Sequence, residues 1–579
     1  MKTSIAIPPL RLRIGLLVAV AVTWLGGCAS APTLGNAPDP HADQARSAGF
    51  VSAAHPLATQ AGLDVLRRGG SAIDAAIAVQ AMLGLVEPQS SGVAGGAFVL
   101  VYSADTRQVD AYIGREQAPA SASATLFTDA EGRPLDSAAA MLSGRATGVP
   151  GVLPALELAH REHGQLPWHT LFEPVAERAE AGFEVTPRLQ QHVDGTFPQA
   201  RAPDIRRLFA RADGTPLRAG DVMRNRAYAA SLRVIAAQGA AALQRGPLAE
   251  AIAERLGQAP LGARVTPADL AGYRAERTPA LCRPVRIYIV CVPPPPSSGV
   301  GLLQLMLLLD GTDIAERGPD DPRSWLQFAE ASRLMYADRD RYLGDPRFVT
   351  VPVSGLLAPD YVARRRALIG ARAAVPAPVH GTPAGAPVAT ADATAEPGGT
   401  SHFVVVDGRG NVVSMTTTIE SFFGSGRVVG GMLLNNQLTD FSWSPGGSAA
   451  NAIAPGKRPR SSMSPVIVLD RDHRFVGAIG SPGGNAIPAY IAKTLVGWLF
   501  WDLPLERAIA LPNLVARGAG FSGEARAFAP EVIHSLSALG IQVRPGAGEN
   551  SGLHGVVLRD GVLEGAADPR REGTAAPLR

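Results

Sequence analysis

Residues 399–418 read Gly399-Thr400-Ser401-His402-Phe403-Val404-Val405-Val406-Asp407-Gly408-Arg409-Gly410-Asn411-Val412-Val413-Ser414-Met415-Thr416-Thr417-Thr418. Two β-rich arms flank a cluster of turn formers, Asp407 to Asn411, which is the pattern of a hairpin. A hairpin symmetric about Arg409 sets Thr400 opposite Thr418. Opposed side chains in an antiparallel pair have Cβ atoms roughly 4.5–5.5 Å apart, within reach of two hydroxyls. A threonine at the mouth of a strand, with a second hydroxyl against it, is a candidate nucleophile. Threonine is also a good strand residue, and many Thr–Thr pairs do no more than line a sheet.

Upstream of the hairpin, residues 371–396 are mostly Ala, Pro, Gly and Thr with scarcely any charge. Such a stretch builds no core and is expected to be a mobile surface segment, 370–399, ending at Thr400. Before it, helical periodicity covers 58–68 and 72–85, the latter with Ser71 as N-cap. Ser91 to Ala97 leads into a strand at 98–102, and a second strand at 108–113 ends at Arg115-Glu116. Further helices are expected at 151–163, 171–180, 227–237, 247–256 and 325–343. After the hairpin, strands at 432–434, 466–469 and 475–479 alternate with helices at 486–500 and 530–539. Long alternating blocks of this kind predict layered packing with helices on both faces of sheets. The sequence carries no internal repeat.

The chain has 579 residues, of which 46% are hydrophobic and 18% charged, with a formal net charge of +3, so it reads as ordinary globular protein. No lysine-rich run or basic helix is present, which argues against a nucleic-acid partner. Lys2, Arg11 and Arg13 precede an apolar run at 14–25 that ends in Gly26-Gly27-Cys28. About twelve residues are too few to span a bilayer but suit a signal-peptide core. Leu25-Gly26-Gly27-Cys28 resembles the bacterial lipobox, so 1–27 is expected to be a lipoprotein signal, Cys28 the lipidated residue and 28–48 a flexible tether. A plain secretory signal containing a cysteine is the alternative. With no aspartate after Cys28, the expected location is the periplasm of a Gram-negative bacterium, anchored to the outer membrane. Export permits a disulfide between Cys282 and Cys291. Residues 285–292, however, read as one strand, and opposed positions of a simple hairpin there do not pair the two cysteines, so the pairing stays open. No CxxC or histidine-rich metal spacing exists, and no metal or other cofactor is expected.

Several short stretches carry chemistry. Ser481-Pro482-Gly483-Gly484 sits between a strand and a helix, where backbone N–H groups suit a developing oxyanion, or where the chain merely turns tightly. Lys457 to Pro465 offers the adjacent hydroxyls Ser461 and Ser462. Asn435-Asn436-Gln437-Leu438-Thr439-Asp440 places amides and a carboxylate just after a strand. Arg115 is a bidentate partner for a carboxylate, or an ordinary surface arginine.

Together these stretches resemble the gamma-glutamyltransferase family, from about Gly49 to Asp568-Pro569-Arg570. Thr147-Gly148-Val149-Pro150-Gly151, Pro294-Pro295-Pro296-Ser297-Ser298-Gly299, Leu433 to Gln437, and Arg458-Pro459 follow in the family's order. The resemblance implies an α+β fold, the four-layer αββα sandwich of N-terminal nucleophile hydrolases, formed jointly by two self-cleaved subunits, 49–399 and 400–579. It implies cleavage between Gly399 and Thr400, with Thr400 as nucleophile and Thr418 as its hydroxyl partner. Arg115, Ser461 and Ser462 would hold the α-carboxylate of a γ-glutamyl donor. Asp440, Gln437 and Glu420 would hold its α-ammonium, and Gly483 and Gly484 would stabilise the oxyanion. The implied partners are small γ-glutamyl compounds and amino-acid or peptide acceptors. Two positions depart from the family pattern: Glu420 stands where many members have Asn, and the stretch between Asp440 and Ser461 is too short for a lid with a tyrosine. Glutaryl and cephalosporin acylases share the implied fold and remain the neighbouring activity. A non-catalytic binding lipoprotein is the reading from another class.

Overall fold

The computed structural model describes residues 49–392, 394–443, 449–546 and 550–579. The expected signal, lipidation site Cys28 and tether therefore lie outside the described residues.

The hairpin forms as the sequence predicts. Strand Thr400–Val406 pairs antiparallel with Val412–Thr418, and Thr400 stands opposite Thr418. The turn holds because the Asp407 carboxylate accepts from the N–H groups of Arg409 and Asn411. These strands are the centre of a seven-stranded sheet. On one side lie Phe50–Ala53 and then Thr574–Pro577, and on the other Gly96–Ser103, Gln108–Gly114 and Glu276–Pro279. A six-stranded sheet runs in the order Val562–Ala567, His554–Arg559, Phe475–Gly480, Val466–Leu469, Tyr288–Val292, Leu281–Val285.

The central strands of both sheets are buried on both faces, which explains why they read as nearly continuous apolar runs. Along Thr400–Val406, Phe403 and Val405 pack into a core with helices Pro56–Arg67 and Ala72–Val86. Val404 and Val406 point the other way, into a second core with Ile467, Leu469 and Val556 of the facing sheet. The far side of that sheet, through Val466, Val468 and Val290, packs on helices Gly299–Asp310, Pro322–Tyr342 and Ile487–Leu495. The result is the four-layer αββα sandwich. Helix Gly299–Asp310 escapes a reading by periodicity because it is apolar all round, with ten of its twelve residues buried.

Two expectations need correction. Residues 285–292 are not one strand: Leu281–Val285 and Tyr288–Val292 form a hairpin around Arg286-Ile287. Cys282 then lies directly opposite Cys291, and the two form a disulfide with Cα atoms 4.1 Å apart. The turn lacks the usual turn residues, and Arg286 takes the left-handed conformation (φ 54°) that sequence rarely signals outside Gly, Asn and Asp. Met432–Leu433 is a strand, but it pairs only with Val428–Val429, outside both large sheets.

Candidate active site

Thr400 begins its strand at the end of the central hairpin, and its side chain is buried. Its hydroxyl donates to Thr418 Oγ1 at 3.2 Å. The Thr418 hydroxyl donates in turn to the Gly399 carbonyl oxygen at 2.8 Å, and accepts from the Glu420 N–H at 2.7 Å. One donor and two acceptor positions are thereby filled, which fixes the orientation of Thr418 completely. The consequence is chemical: the carbonyl of the Gly399–Thr400 bond is polarised by a buried hydroxyl beside the hydroxyl of Thr400. Gly399 has φ 152°, and a Cβ there would come within 2.1 Å of the Glu420 carbonyl oxygen, so only glycine allows this approach.

A cleft opens beside Thr400 and Thr418, and Arg115, Glu420, Gln437, Asp440, Ser461, Ser462 and Gly484 line it. Arg115 follows strand Gln108–Gly114 and is fully buried; its Nη2 donates to Asp440 Oδ2 (2.6 Å) and to the Arg460 carbonyl (2.7 Å), and its Nε to the Pro459 carbonyl (3.1 Å). Gln437 and Asp440 come from one 3₁₀ turn, where Gln437 Nε2 donates to Asp440 Oδ2 at 2.5 Å. Asn435 locks this turn to the Thr147 to Gly151 stretch by accepting from the Gly148 N–H and donating to its carbonyl. Asn436 donates to the Glu420 carboxylate and accepts from the Ser421 N–H. The Pro294 to Gly299 stretch positions the serines: the Ser461 N–H donates to the Pro296 carbonyl, and the Ser461 carbonyl accepts from both the N–H and hydroxyl of Ser298.

Three buried acceptor atoms of residues lining this cleft, Glu420 Oε1, Gln437 Oε1 and Asp440 Oδ1, accept from no N–H or hydroxyl among the described residues, while the Glu420 and Asp440 carboxyls hydrogen-bond each other. Unpaired buried acceptors are costly and mark a place for a donor-rich ligand group. Burial, opposed by Arg115, raises the Asp440 carboxyl to about 6. Burial and the neighbouring Asp440 push Glu420 well above the ordinary carboxylate range. A cation with several N–H donors would take the place of the proton the two carboxyls share and satisfy Gln437 Oε1 as well.

Gly484 opens a short 3₁₀ turn before helix Ile487–Leu495. Its N–H and that of Gly483 donate to no protein acceptor among the described residues. Gly484 lines the cleft and Gly483, just before it, does not.

The structure adds residues that sequence reasoning did not single out. Residues 371–391 run irregularly over the surface, with Val375 and Val388 almost fully exposed. The following stretch is different, because Asp392 and Glu396 are buried. Glu396 and Pro397 line the cleft, together with Met463 and Ile487. For Glu396 the only sequence signal was a carboxylate close to Thr400 in a run with scarcely any other charge. The expected short stretch after Asp440 includes residues 444–448, outside the described residues; before them Trp443 stacks on Phe127 and donates to the Thr439 carbonyl.

Comparison with known proteins agrees with this geometry. The profile of the family described as Gamma-glutamyltranspeptidase matches residues 58–578. The glutathione hydrolase proenzyme of Bacillus subtilis (strain 168) is 34% identical over 542 residues, 91% of each chain. The acylase ACY 1 proenzyme of Pseudomonas sp. (strain SE83) is also 34% identical, over 92% of this chain and 94% of its own. The solved cephalosporin acylase from Bacillus halodurans superposes with a TM-score of 0.81 at 28% identity, over 92% of this chain and 96% of that one. This chain belongs to the gamma-glutamyltranspeptidase family of enzymes.

Proposed function

We propose that the chain is a self-processing γ-glutamyl hydrolase and transferase acting on glutathione-like compounds, with Thr400 as nucleophile in both self-cleavage and catalysis. The observation that carries the substrate class is the trio of acceptors, Glu420 Oε1, Gln437 Oε1 and Asp440 Oδ1, that no N–H or hydroxyl of the described residues occupies in the cleft beside Thr400. A γ-glutamyl group brings an α-ammonium with three N–H donors to that place, whereas a glutaryl group brings none.

In self-cleavage, Thr400 Oγ1 attacks the Gly399 carbonyl carbon, and Thr418 donates to the oxygen as negative charge develops. The C–N bond breaks, and the amine keeps the proton that the hydroxyl gives up, leaving Gly399 as an ester on Thr400. Water then hydrolyses the ester to a Gly399 carboxylate and a free Thr400 with its own α-amine. That amine has a pKa of roughly 7.7–8, so it serves near neutral pH as base for its own hydroxyl. The same hydroxyl next attacks the γ-carbonyl of a bound donor. The Gly484 and Gly483 N–H groups are the candidate oxyanion donors, and Arg115, Ser461 and Ser462 frame the α-carboxylate. The leaving amine takes a proton, and water or an acceptor amine resolves the γ-glutamyl ester.

On this reading the subunits are 49–399 and 400–579, which stay together because strands of both share each sheet. We also infer that residues 1–28 direct export and lipid anchoring to the outer membrane, an assignment supported by the disulfide, which favours an oxidising compartment. Intact-mass measurement of the large fragment tests the lipid on Cys28. Purified wild-type protein is expected to run as two fragments, the smaller beginning at Thr400, and Thr400→Ala as one. Turnover of γ-glutamyl-anilide should exceed that of glutaryl-anilide. The reverse preference would assign the chain to the acylases, and a persistent single wild-type band would refute the processing scheme.

A further inference from the structure

Glu396 lies four residues before Thr400, and its carboxylate is held in a built site. One oxygen accepts from Arg339 Nη2 at 2.5 Å, and the other from the Ser462 N–H at 2.9 Å. Arg460 Nε stands 3.5 Å from the first. Arg339 and Arg460 are fully buried, Arg339 Nη2 also donates to Ser462 Oγ, and Arg460 Nε and Nη1 make no hydrogen bond among the described residues. Burial works against ionisation of Glu396, but the two arginines outweigh it and hold its pKa at about 2.

The surrounding charges balance only while the segment before Thr400 is in place. Arg339, Arg460 and Arg517 face Asp340, Asp392 and Glu396. Two of those three carboxylates, Asp392 and Glu396, belong to the segment that ends at the Gly399–Thr400 bond. That segment also covers Gly484, where an added Cβ would lie 2.1 Å from the Glu396 carbonyl oxygen and 2.6 Å from that of Pro397. The Glu396 carbonyl also accepts from the Asn485 N–H at 3.1 Å, so residues 396–397 sit on the turn that carries Gly484 and occupy part of the cleft a donor would enter. Their withdrawal takes the Glu396 carboxylate out of its clamp and leaves buried guanidiniums short of counter-charge, which is strongly unfavourable unless another anion enters. Arg115, the arginine first expected to bind the donor's carboxylate, already spends its Nε and Nη2 on Pro459, Asp440 and Arg460.

We propose that the Glu396 carboxylate is an internal stand-in for the donor's α-carboxylate: the Ser462 N–H with Arg339 and Arg460 behind it holds Glu396 before cleavage and the donor afterwards, so that Arg460 is a specificity-determining residue for α-carboxylate donors. The inference rests on the γ-glutamyl reading and deepens it. Precursor and substrate use one anion site in turn: self-cleavage requires it filled, and by cutting the chain frees Glu396 to be displaced by the donor.

Competition on the mature wild-type enzyme tests this without any folding demand. The acetylated peptide Ala-Glu-Pro-Gly-Gly, matching residues 395–399, is expected to inhibit γ-glutamyl-anilide turnover competitively, and the same peptide with Gln for Glu at least tenfold more weakly. Equal inhibition constants for both peptides, or no competition from either, would overturn the inference. A second measurement compares Arg460→Lys with wild type on γ-glutamyl-anilide and on 4-aminobutanoyl-anilide, which keeps the amine and lacks the α-carboxylate. The expected result is a KM raised fivefold or more for the first donor at nearly constant kcat, with kcat/KM for the second within twofold. Equal losses on both donors point to a structural role for Arg460 and count against the inference. Wild-type protein without any γ-glutamyl-anilide turnover refutes the proposed function itself, and this inference with it.

Discussion

Asp440→Asn isolates the group that distinguishes a γ-glutamyl donor from a glutaryl one. Asp440 Oδ2 is already occupied by Arg115 and Gln437, while Oδ1 accepts from no N–H or hydroxyl of the described residues. The substitution keeps the shape and removes the charge. A hydrogen bond to a charged group contributes about 1.5–3 kcal/mol, and each 1.4 kcal/mol is tenfold, so KM for γ-glutamyl-anilide should rise about 10- to 100-fold. Glu420 and Gln437 still offer acceptors, which sets the upper bound. Glutaryl-anilide makes no ammonium contact, so its kcat/KM should hold or improve.

The pH dependence gives the same residue a second signature. Burial raises the Asp440 carboxyl to about 6, so its charge is lost as pH falls through that value, well above where an exposed aspartate would lose it. In the wild type, KM for the γ-glutamyl donor should therefore fall as pH rises through about 6. In Asp440→Asn that limb should disappear, while any limb belonging to the Thr400 α-amine near 7.7–8 remains in kcat. Steady-state kinetics from pH 5 to 9 with both donors measures all of this. An unchanged γ-glutamyl KM, or an equal loss on the two donors, would refute the assignment of the acceptor trio to an ammonium.

Thr418→Val removes the hydroxyl that polarises the Gly399 carbonyl, and loss of one such donor typically costs about 10²–10³ in rate, so precursor should persist on a denaturing-gel time course. Gly484→Ala places a methyl 2.1 Å from the Glu396 carbonyl oxygen at a residue with φ 54°, so the segment cannot seat and fragments should not form. The Cys282–Cys291 bridge closes a short loop at the edge of the second sheet, and its removal should cost about 2–3 kcal/mol, read as a lower denaturation midpoint under reductant with turnover unaffected.

What sequence made legible was local. The Thr400–Thr418 pairing follows from turn residues that centre the hairpin on Arg409, and its register then has no freedom, because a slip by one residue would exchange the two buried faces. Asn435, Gln437 and Asp440 were legible because they crowd into six residues. The disulfide hairpin was not, since Arg286-Ile287 carries none of the usual turn chemistry. Arg339 was hidden for another reason: within helix Pro322–Tyr342 it is one of four arginines, and nothing in the period distinguishes the buried Arg333 and Arg339 from the exposed Arg323 or half-buried Arg341. Its partners, Glu396 and Ser462, lie 57 and 123 residues away in the chain. Contacts of that range leave no trace in a single sequence.

The two reactions assigned to Thr400 make opposite demands on one cleft. Self-cleavage needs the cleft occupied, with the Gly399 carbonyl fixed against Thr418 and the Arg339 and Arg460 guanidiniums opposed by Glu396 and Asp392. Turnover needs it vacant, with acceptors and cations exposed to an incoming donor. A rigid pocket shaped for either task alone would fail at the other. The chain meets both because the occupant is joined to the pocket through the bond that is cut. The acceptor trio receives no N–H donor in the precursor, since Glu396 supplies a carboxylate and no ammonium. That asymmetry gives the direction: the precursor's own segment satisfies half of the donor site, the donor satisfies all of it, and once the bond is broken only the Glu396 clamp holds the weaker occupant against the stronger one.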